Sequence, residues 1–331
     1  VIARLLKLDK LMAEESLNKN PSKDLHKDLA GEDLHKDLAG EDLRIWNLFK
    51  DVPKPTTSKK SKFFEAAQKN KLRFQLGQKD RFQLGVFYSG RYFKDMEDIF
   101  AQEGLPKELT RLVFVESSFN VFARSKVGAS GLWQIMPSSG RRYFKVNATI
   151  DMRNFPLEAT RVAAKLLKSN YKLLGSWPLA VTGYNHGPTG IAKLVKKYHT
   201  TDLVELIQNV TTRKKFGFAS RNFYASFLAA LQTESEANRV FSSQITVAPR
   251  LQQTLIKLKQ PIYWSKLLSW FHGDAKLAEL YNPHVSRQIR RNQVPIPQGT
   301  LISLASTSTV SEQDQSLIKD LTVDKPQANN P

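Results

Sequence analysis

Cysteine is absent from all 331 residues, which excludes disulfides, thiolate nucleophiles and cysteine-ligated metals within this chain. No apolar run approaches the ~20 residues that a membrane-spanning helix needs. The opening VIARLLKLDKLMAEES scatters charges among its apolar residues, so it lacks the apolar core of a secretory signal. HExxH is missing and the histidines lie apart, except for two within a short repeat, so no metal site is expected. Neither GxGxxG nor GxxxxGK[ST] occurs, and no cofactor is expected. A GxSxG nucleophile elbow is lacking. No RNP or zinc-finger signature marks a nucleic-acid partner.

Acids are scarce where bases are dense. The formal charge is +19, yet residues 1–60 are near balance, with 12 Lys and Arg against 11 Asp and Glu. Residues 117–201 hold 13 Lys and Arg against two acids, Asp151 and Glu158. Such a field attracts an anionic polymer: nucleic acid, anionic lipid or an acidic glycan.

What is present is mostly helical patterning. Apolar residues at Leu5, Leu8, Leu11 and Met12 have helical spacing. A nine-residue tandem repeat, HKDLAGEDL, follows at 26–34 and 35–43 and reads as part of a surface arm. A Pro- and Lys-rich linker, KDVPKPTTSKKSK, spans 50–62. The spacing predicts helices over 156–175 and 221–239, and a pair over 177–198 broken at Gly187-Pro188. The loop KVGASGLWQIMPSSG at 126–140 contains a short apolar run that reads as a strand or tight connection. Beyond 250 the order is strand, two short helices, strand. Residues 306–331 are polar and expected to be disordered. The expected organisation is an N-terminal arm and linker (1–61), a mainly helical domain (62–245), a small α+β module (250–305) and a tail (306–331).

One acid stands out. In LVFVESSFN, Glu116 follows Leu112, Val113, Phe114 and Val115 at the end of a helix. An acid among apolar neighbours is poorly solvated, which favours its protonated form and suits it to proton donation. A two-carboxylate glycosidase needs a second acid about 5–9 Å away. Residues 117–150 contain none, and Asp151 sits where a helix-capping role is expected.

The ordered motifs VESSFN, SKVGASGLWQIMP and GYNHG resemble the soluble lytic transglycosylase family, which has a goose-type lysozyme-like fold. The wording GLPKELTRLVFVESSFN with GLWQIMPSSGRRY, and the later RNFYASFLAAL, is most similar to the membrane-bound lytic murein transglycosylase D branch. The resemblance covers about 90–235 and implies a mainly α protein. It implies cleavage of the bond between N-acetylmuramic acid and N-acetylglucosamine in peptidoglycan. Glu116 matches the acid/base, Ser125 a serine contacting the acetamido group, and Gln134 and Met136 the cleft lining. Tyr184 and Asn185 match the pair beside the catalytic Glu, with the tyrosine able to hydrogen-bond the carboxyl. Ser117, next to Glu116 in the first motif, joins these as a substrate-binding candidate. The family commonly reads Ala-Tyr-Asn-Ala-Gly where this chain has Gly183, Tyr184, Asn185, His186 and Gly187, which bears on sugar preference.

The same resemblance implies an exported, envelope-located monomer whose partner is the glycan strand, its signal segment absent from this chain. Two other outcomes stay open. One is a muramidase that adds water, including one preferring deacetylated glycan; the other is a non-catalytic wall-binding protein. The segment 250–305 resembles a glycan-binding LysM module through its element order, LAELYNP and IPQGTLISL, and equally suits a packing role.

Overall fold

The computed structural model describes residues 4–11, 38–50, 61–68, 78–210, 216–241 and 244–320. Most of the tandem repeat, the linker at 51–60 and residues 321–331 lie outside the described residues. The chain divides into two compact units, Val1–Gly77 and Gln78–Pro331.

In the first unit, α1 (4–11), α2 (Gly40–Phe49) and α3 (Lys62–Ala67) share a small core. Leu5 and Leu8, spaced to one face of α1, meet Ile45, Trp46, Phe63 and Ala67. Trp46 and Phe63 stack with ring centroids 5.3 Å apart, and Arg4 and Lys7 both pair with Asp42 at 2.7 Å. Phe63 and Ala67 belong to this core, and the unit runs to Gly77.

The second unit begins with α4 (Lys79–Ser89) and α5 (Phe93–Gln102). A 3-10 turn, Lys107–Arg111, then leads into the short α6 (Leu112–Glu116). Next come α7 (Pro137–Gly140), α8 (Pro156–Leu174), α9 (Trp177–His186), α10 (Pro188–Tyr198), α11 (Leu203–Asn209), α12 (Phe218–Ser235) and α13 (Ala237–Phe241). Prolines in the first turns of α8, α9 and α10 start those helices at no hydrogen-bonding cost. Buried Ala159, Ala163 and Ala164 on α8 are small enough to bring neighbouring helices close. The central core joins α5, α6, α8, α9 and α12, with α6 fully internal apart from its last residues. Arg111, just before α6, pairs with Glu97 of α5 and Glu234 of α12, and lies 4.3 Å over the Phe93 ring. That brace fixes the segment that ends at Glu116.

Residues 126–136 form neither helix nor regular strand. Isolated bridges Arg124–Ser130 and Ser130–Ile135 fold them into a tight connection that ends at α7.

The C-terminal part contains β1 (Gln253–Leu258), α14 (Trp264–Trp270), α15 (Ala275–Tyr281), α16 (Arg287–Arg290), β2 (Leu301–Ala305) and β3 (Ile318–Asp320). The sheet order is β2-β1-β3, both pairings antiparallel. The mainly helical class with a small sheet is as expected. The expected disorder of 306–331 is corrected over 306–320. Ile318 is buried, and Asp314 accepts hydrogen bonds from Trp270 Nε1 at 3.0 Å and Lys266 Nζ at 3.1 Å. A polar average hid the apolar pair Leu317 and Ile318, which closes the core. That core also includes Ile150, Met152 and Phe155, so the C-terminal part and the helical part share buried surface. Among the described residues no helix is long and apolar enough to cross a membrane.

Candidate active site

Glu116 is the last residue of α6, where the chain leaves the core. Leu112, Val113 and Phe114 are buried behind it, and Val115 lies beside it on the wall of a cleft of about 780 Å³. The next residues turn sharply: Ser118 and Phe119 have φ of 48° and 59°, a left-handed conformation that costs energy for residues with a Cβ. The turn is held from both sides. Ser117 Oγ donates to the Leu132 carbonyl at 2.8 Å, and buried Phe119 packs edge-on against Phe93 and Phe114.

Gly85, on α4, lies directly against this turn. A Cβ there would sit 3.0 Å from the Ser118 carbonyl oxygen and 3.3 Å from its Cα. Backbone cannot move aside as a flexible side chain would. Gly85→Ala is therefore expected to lower unfolding stability by about 1–3 kcal/mol, the usual cost of overpacking. Urea denaturation measures this; an unchanged midpoint would show that the turn gives way freely.

The opposite wall is the 123–135 connection. Gln134, at φ 44°, donates through Nε2 to the carbonyls of Ala123 (3.1 Å) and Gly131 (2.9 Å). Gly131, at φ 78°, lies so near residue 153 that a Cβ would fall 2.1 Å from the Arg153 carbonyl oxygen. Arg153 itself is buried and ties the connection together. Its Nη1 donates to the Gly128 carbonyl at 2.6 Å and the Ile135 carbonyl at 2.9 Å. Its Nε and Nη2 grip Asp151 at 2.9 and 2.8 Å. Asp151 also caps the turn at Met152–Asn154 by accepting from Arg153 N–H. This carboxylate is committed to structure.

Glu116, Ser117 and Gln134 line the cleft together, with Tyr88, Arg91 and Asn120. Ser125, Met136, Tyr184 and Asn185 are not part of that lining. Ser125 Oγ accepts from Ala129 N–H at 2.9 Å, and Met136 is 39% exposed. The Tyr184 hydroxyl donates to the Trp133 carbonyl at 2.9 Å rather than to the Glu116 carboxyl. Exposed Asn185 accepts from Ser220 Oγ at 3.1 Å, and the same hydroxyl lies 3.1 Å from His186 Nδ1. Trp133 is fully buried, stacked on Phe100 at 5.5 Å, with Nε1 donating to Thr160 Oγ1 at 2.9 Å.

Burial pushes the Glu116 carboxyl up to about 8, with no charged partner to oppose the shift. The side chain is partly open to the cleft and otherwise enclosed by protein. Burial, then the nearby Glu116 charge, holds the Tyr184 phenol well above its ordinary value. Near neutral pH the carboxyl is protonated, in reach of whatever occupies the cleft. Glu116 is the single acid among the residues lining it. Among the described residues no group of three or more acids or histidines could hold a metal.

A transglycosylase SLT domain profile matches residues 97–206, a span that contains Glu116, the 123–135 connection and Tyr184. Residues 97–206 are thus similar to transglycosylase SLT domains. Over 97 residues, 29% of this chain, the sequence is 36% identical to the membrane-bound lytic murein transglycosylase D of Escherichia coli K12. That alignment covers 22% of the relative, so the chain spans about a fifth of its length. Lytic transglycosylase Slt of Pseudomonas aeruginosa, solved as an inactive mutant, is 21% identical, with a TM-score of 0.37 over 49% of this chain and 26% of that one. The 70 kDa soluble lytic transglycosylase of Escherichia coli is 18% identical, with a TM-score of 0.33 over 55% and 26%.

Several residues that shape the cleft left little trace in the sequence. Thr160 and Arg153 act through partners 27 and 18 to 25 positions away, beyond any local pattern. Gly85 carried a weak signal, since a lone glycine in a helical stretch costs about 1 kcal/mol against alanine and so suggests a packing reason.

Proposed function

We propose that this chain cleaves the β-1,4 bond between N-acetylmuramic acid and N-acetylglucosamine in peptidoglycan by lytic transglycosylation, with Glu116 as both acid and base. The observation that carries this is a single acid in the cleft, its pKa raised to about 8 by burial. Protonated Glu116 gives its proton to the leaving glycosidic oxygen as the bond to the muramic C1 breaks. Covalent trapping by a second carboxylate is unsupported, because Asp151 is held by Arg153. The muramic acetamido oxygen stabilises the oxocarbenium-like centre instead. Ser125 suits an acetamido contact: it accepts from Ala129 N–H and keeps its own hydroxyl proton to donate. The Glu116 carboxylate then takes the proton of the muramic C6 hydroxyl as that oxygen closes onto C1. The product is a 1,6-anhydro end, and Glu116 is protonated again.

In this reading Ser117 and Gln134 bind sugar directly on the cleft wall. Met136, Tyr184 and Asn185 contribute from its margin, Tyr184 through its proximity to Glu116 and its grip on the Trp133 carbonyl. The substrate's location makes the cell envelope the place of action. Residues 253–305 run strand, three short helices, strand, which adds α16 to the two helices expected of a LysM-like glycan contact, and the core shared with Ile150, Met152 and Phe155 supports a packing role.

Mass spectrometry of the products released from purified sacculi tests the reaction. Anhydromuramyl ends are expected, and far slower release from chemically deacetylated sacculi. Reducing muramic ends would instead identify a muramidase, and faster cleavage of deacetylated chains would refute assistance by the acetamido group.

A further inference from the structure

A second cavity, of about 670 Å³, lies beside the cleft and shares Phe122 and Arg124 with it. One wall comes from residues 137–154 and the other from residues 283–290. Backbone hydrogen bonds join the two walls: Asp151 N–H donates to the His284 carbonyl and Ser286 N–H to the Thr149 carbonyl, both at 2.9 Å. The Phe155 and His284 rings pack with centroids 4.4 Å apart. The cavity is therefore bounded by core-linked segments on both sides.

Its lining contains Arg124, Arg141, Arg153, Arg287 and Arg290 against one acid, Asp151. Asp151 is taken by Arg153 at 2.9 and 2.8 Å. Arg290 meets Glu279 at 3.0 Å and lies 5.6 Å from the centre of the Phe122 ring. Arg124 reaches Asp151 only at 3.8 Å, with 68% of its side chain exposed. Arg141 and Arg287 are exposed and have no acidic partner among the described residues. Two further polar atoms in this wall, Arg290 Nε and His284 Nδ1, are buried without a hydrogen-bond partner. His284 adds no charge, since burial pushes its imidazole down to about 4. Stability is not what this arrangement serves: like charges repel, and unpaired buried polar atoms cost free energy.

We propose that this arginine-lined cavity binds the carboxylates of the peptide branch borne by the glycan whose sugar chain occupies the cleft. The inference rests on the reading of the cleft as a peptidoglycan-cleaving site. A branch leaving a sugar in the cleft meets the shared wall of Phe122 and Arg124 first. Beyond it lie guanidinium forks, whose planar donors match carboxylate oxygens.

The test uses the full chain and the double variant Arg141→Ala/Arg287→Ala, which removes two exposed, unpaired side chains and should fold as the parent does. Titration calorimetry with the tripeptide L-alanyl-γ-D-glutamyl-diaminopimelate is expected to show binding that the double variant weakens about tenfold, a few-fold for each charge-assisted contact. In cleavage assays the variant should raise KM by a similar factor on peptide-bearing strands. Strands stripped of peptide by an amidase should be cleaved as by the parent. No tripeptide binding by the parent, undiminished binding by the variant, or equal losses on both glycans would overturn the proposal. A parent that cleaves neither glycan would refute the reading of the cleft, while the tripeptide titration would still decide the cavity.

Discussion

Glu116→Gln is expected to lose glycan cleavage by at least the factor of about 10²–10⁴ usual for a positioned acid or base, and to gain stability at neutral pH. The amide keeps the shape of the carboxyl and removes its transferable proton, so sacculus binding should survive. The stability gain follows from proton linkage. Burial raises the Glu116 carboxyl from 4.5 to about 8 in the folded chain. Between those values the native state holds a proton that the unfolded state has released, so stability falls as pH rises. Below the unfolded value the two states are equally protonated, and the penalty is absent. It grows through pH 4.5 to 8 and levels off above. The variant carries no such penalty, so its advantage over the parent should appear with rising pH and reach a plateau above about 8. Parent activity should fall over the same upper limb, where the acid form is lost. Cleavage of sacculi and urea unfolding across pH measure both. A variant retaining more than about a tenth of the activity would remove Glu116 from the chemistry. A stability difference independent of pH would show that the carboxyl is not desolvated.

Trp133→Ala is expected to be the most damaging single truncation around the cleft, at about 3–5 kcal/mol. The indole is fully buried, stacked on Phe100 at 5.5 Å and edge-on to Tyr184 at 6.5 Å. Removing it leaves a cavity between α5 and the wall of the cleft and strips Thr160 of the Nε1–H donor at 2.9 Å. Against a typical total of about 5–15 kcal/mol, that loss brings the domain near its threshold. The urea midpoint should fall sharply with the slope unchanged. Trp133→Phe keeps a stacked ring and should lose clearly less. A loss under about 1 kcal/mol for the alanine variant would mean that the neighbours collapse into the space.

Much of this was legible because it is local. Helical periodicity located α8, α9, α10 and α12 within a few residues, with Gly187-Pro188 as the break between two of them. The four apolar residues before Glu116 announced a poorly solvated acid, and three of them are core. The position of Asp151 ahead of Met152–Asn154 announced its cap. Other features had no local signature. Tyr184 finds its acceptor on Trp133, 51 positions away, in place of the neighbouring carboxyl. Residues 306–320 are ordered by Trp270 and Lys266, which lie far upstream.

The sequence by itself determined which acid stands alone, which segments are helical, the order of the three motifs and the concentration of positive charge after Glu116. Tertiary structure alone decided that Asp151 is consumed by Arg153, that Gly85 must leave room for the Ser118 backbone, and that residues 250–320 share a core with Ile150, Met152 and Phe155. The division has a physical basis. Helix propensity, capping and apolar spacing act between residues a turn or two apart. Desolvation, close backbone approach and ion pairing depend on which distant segments fill the space around a group, and only the packed chain supplies those.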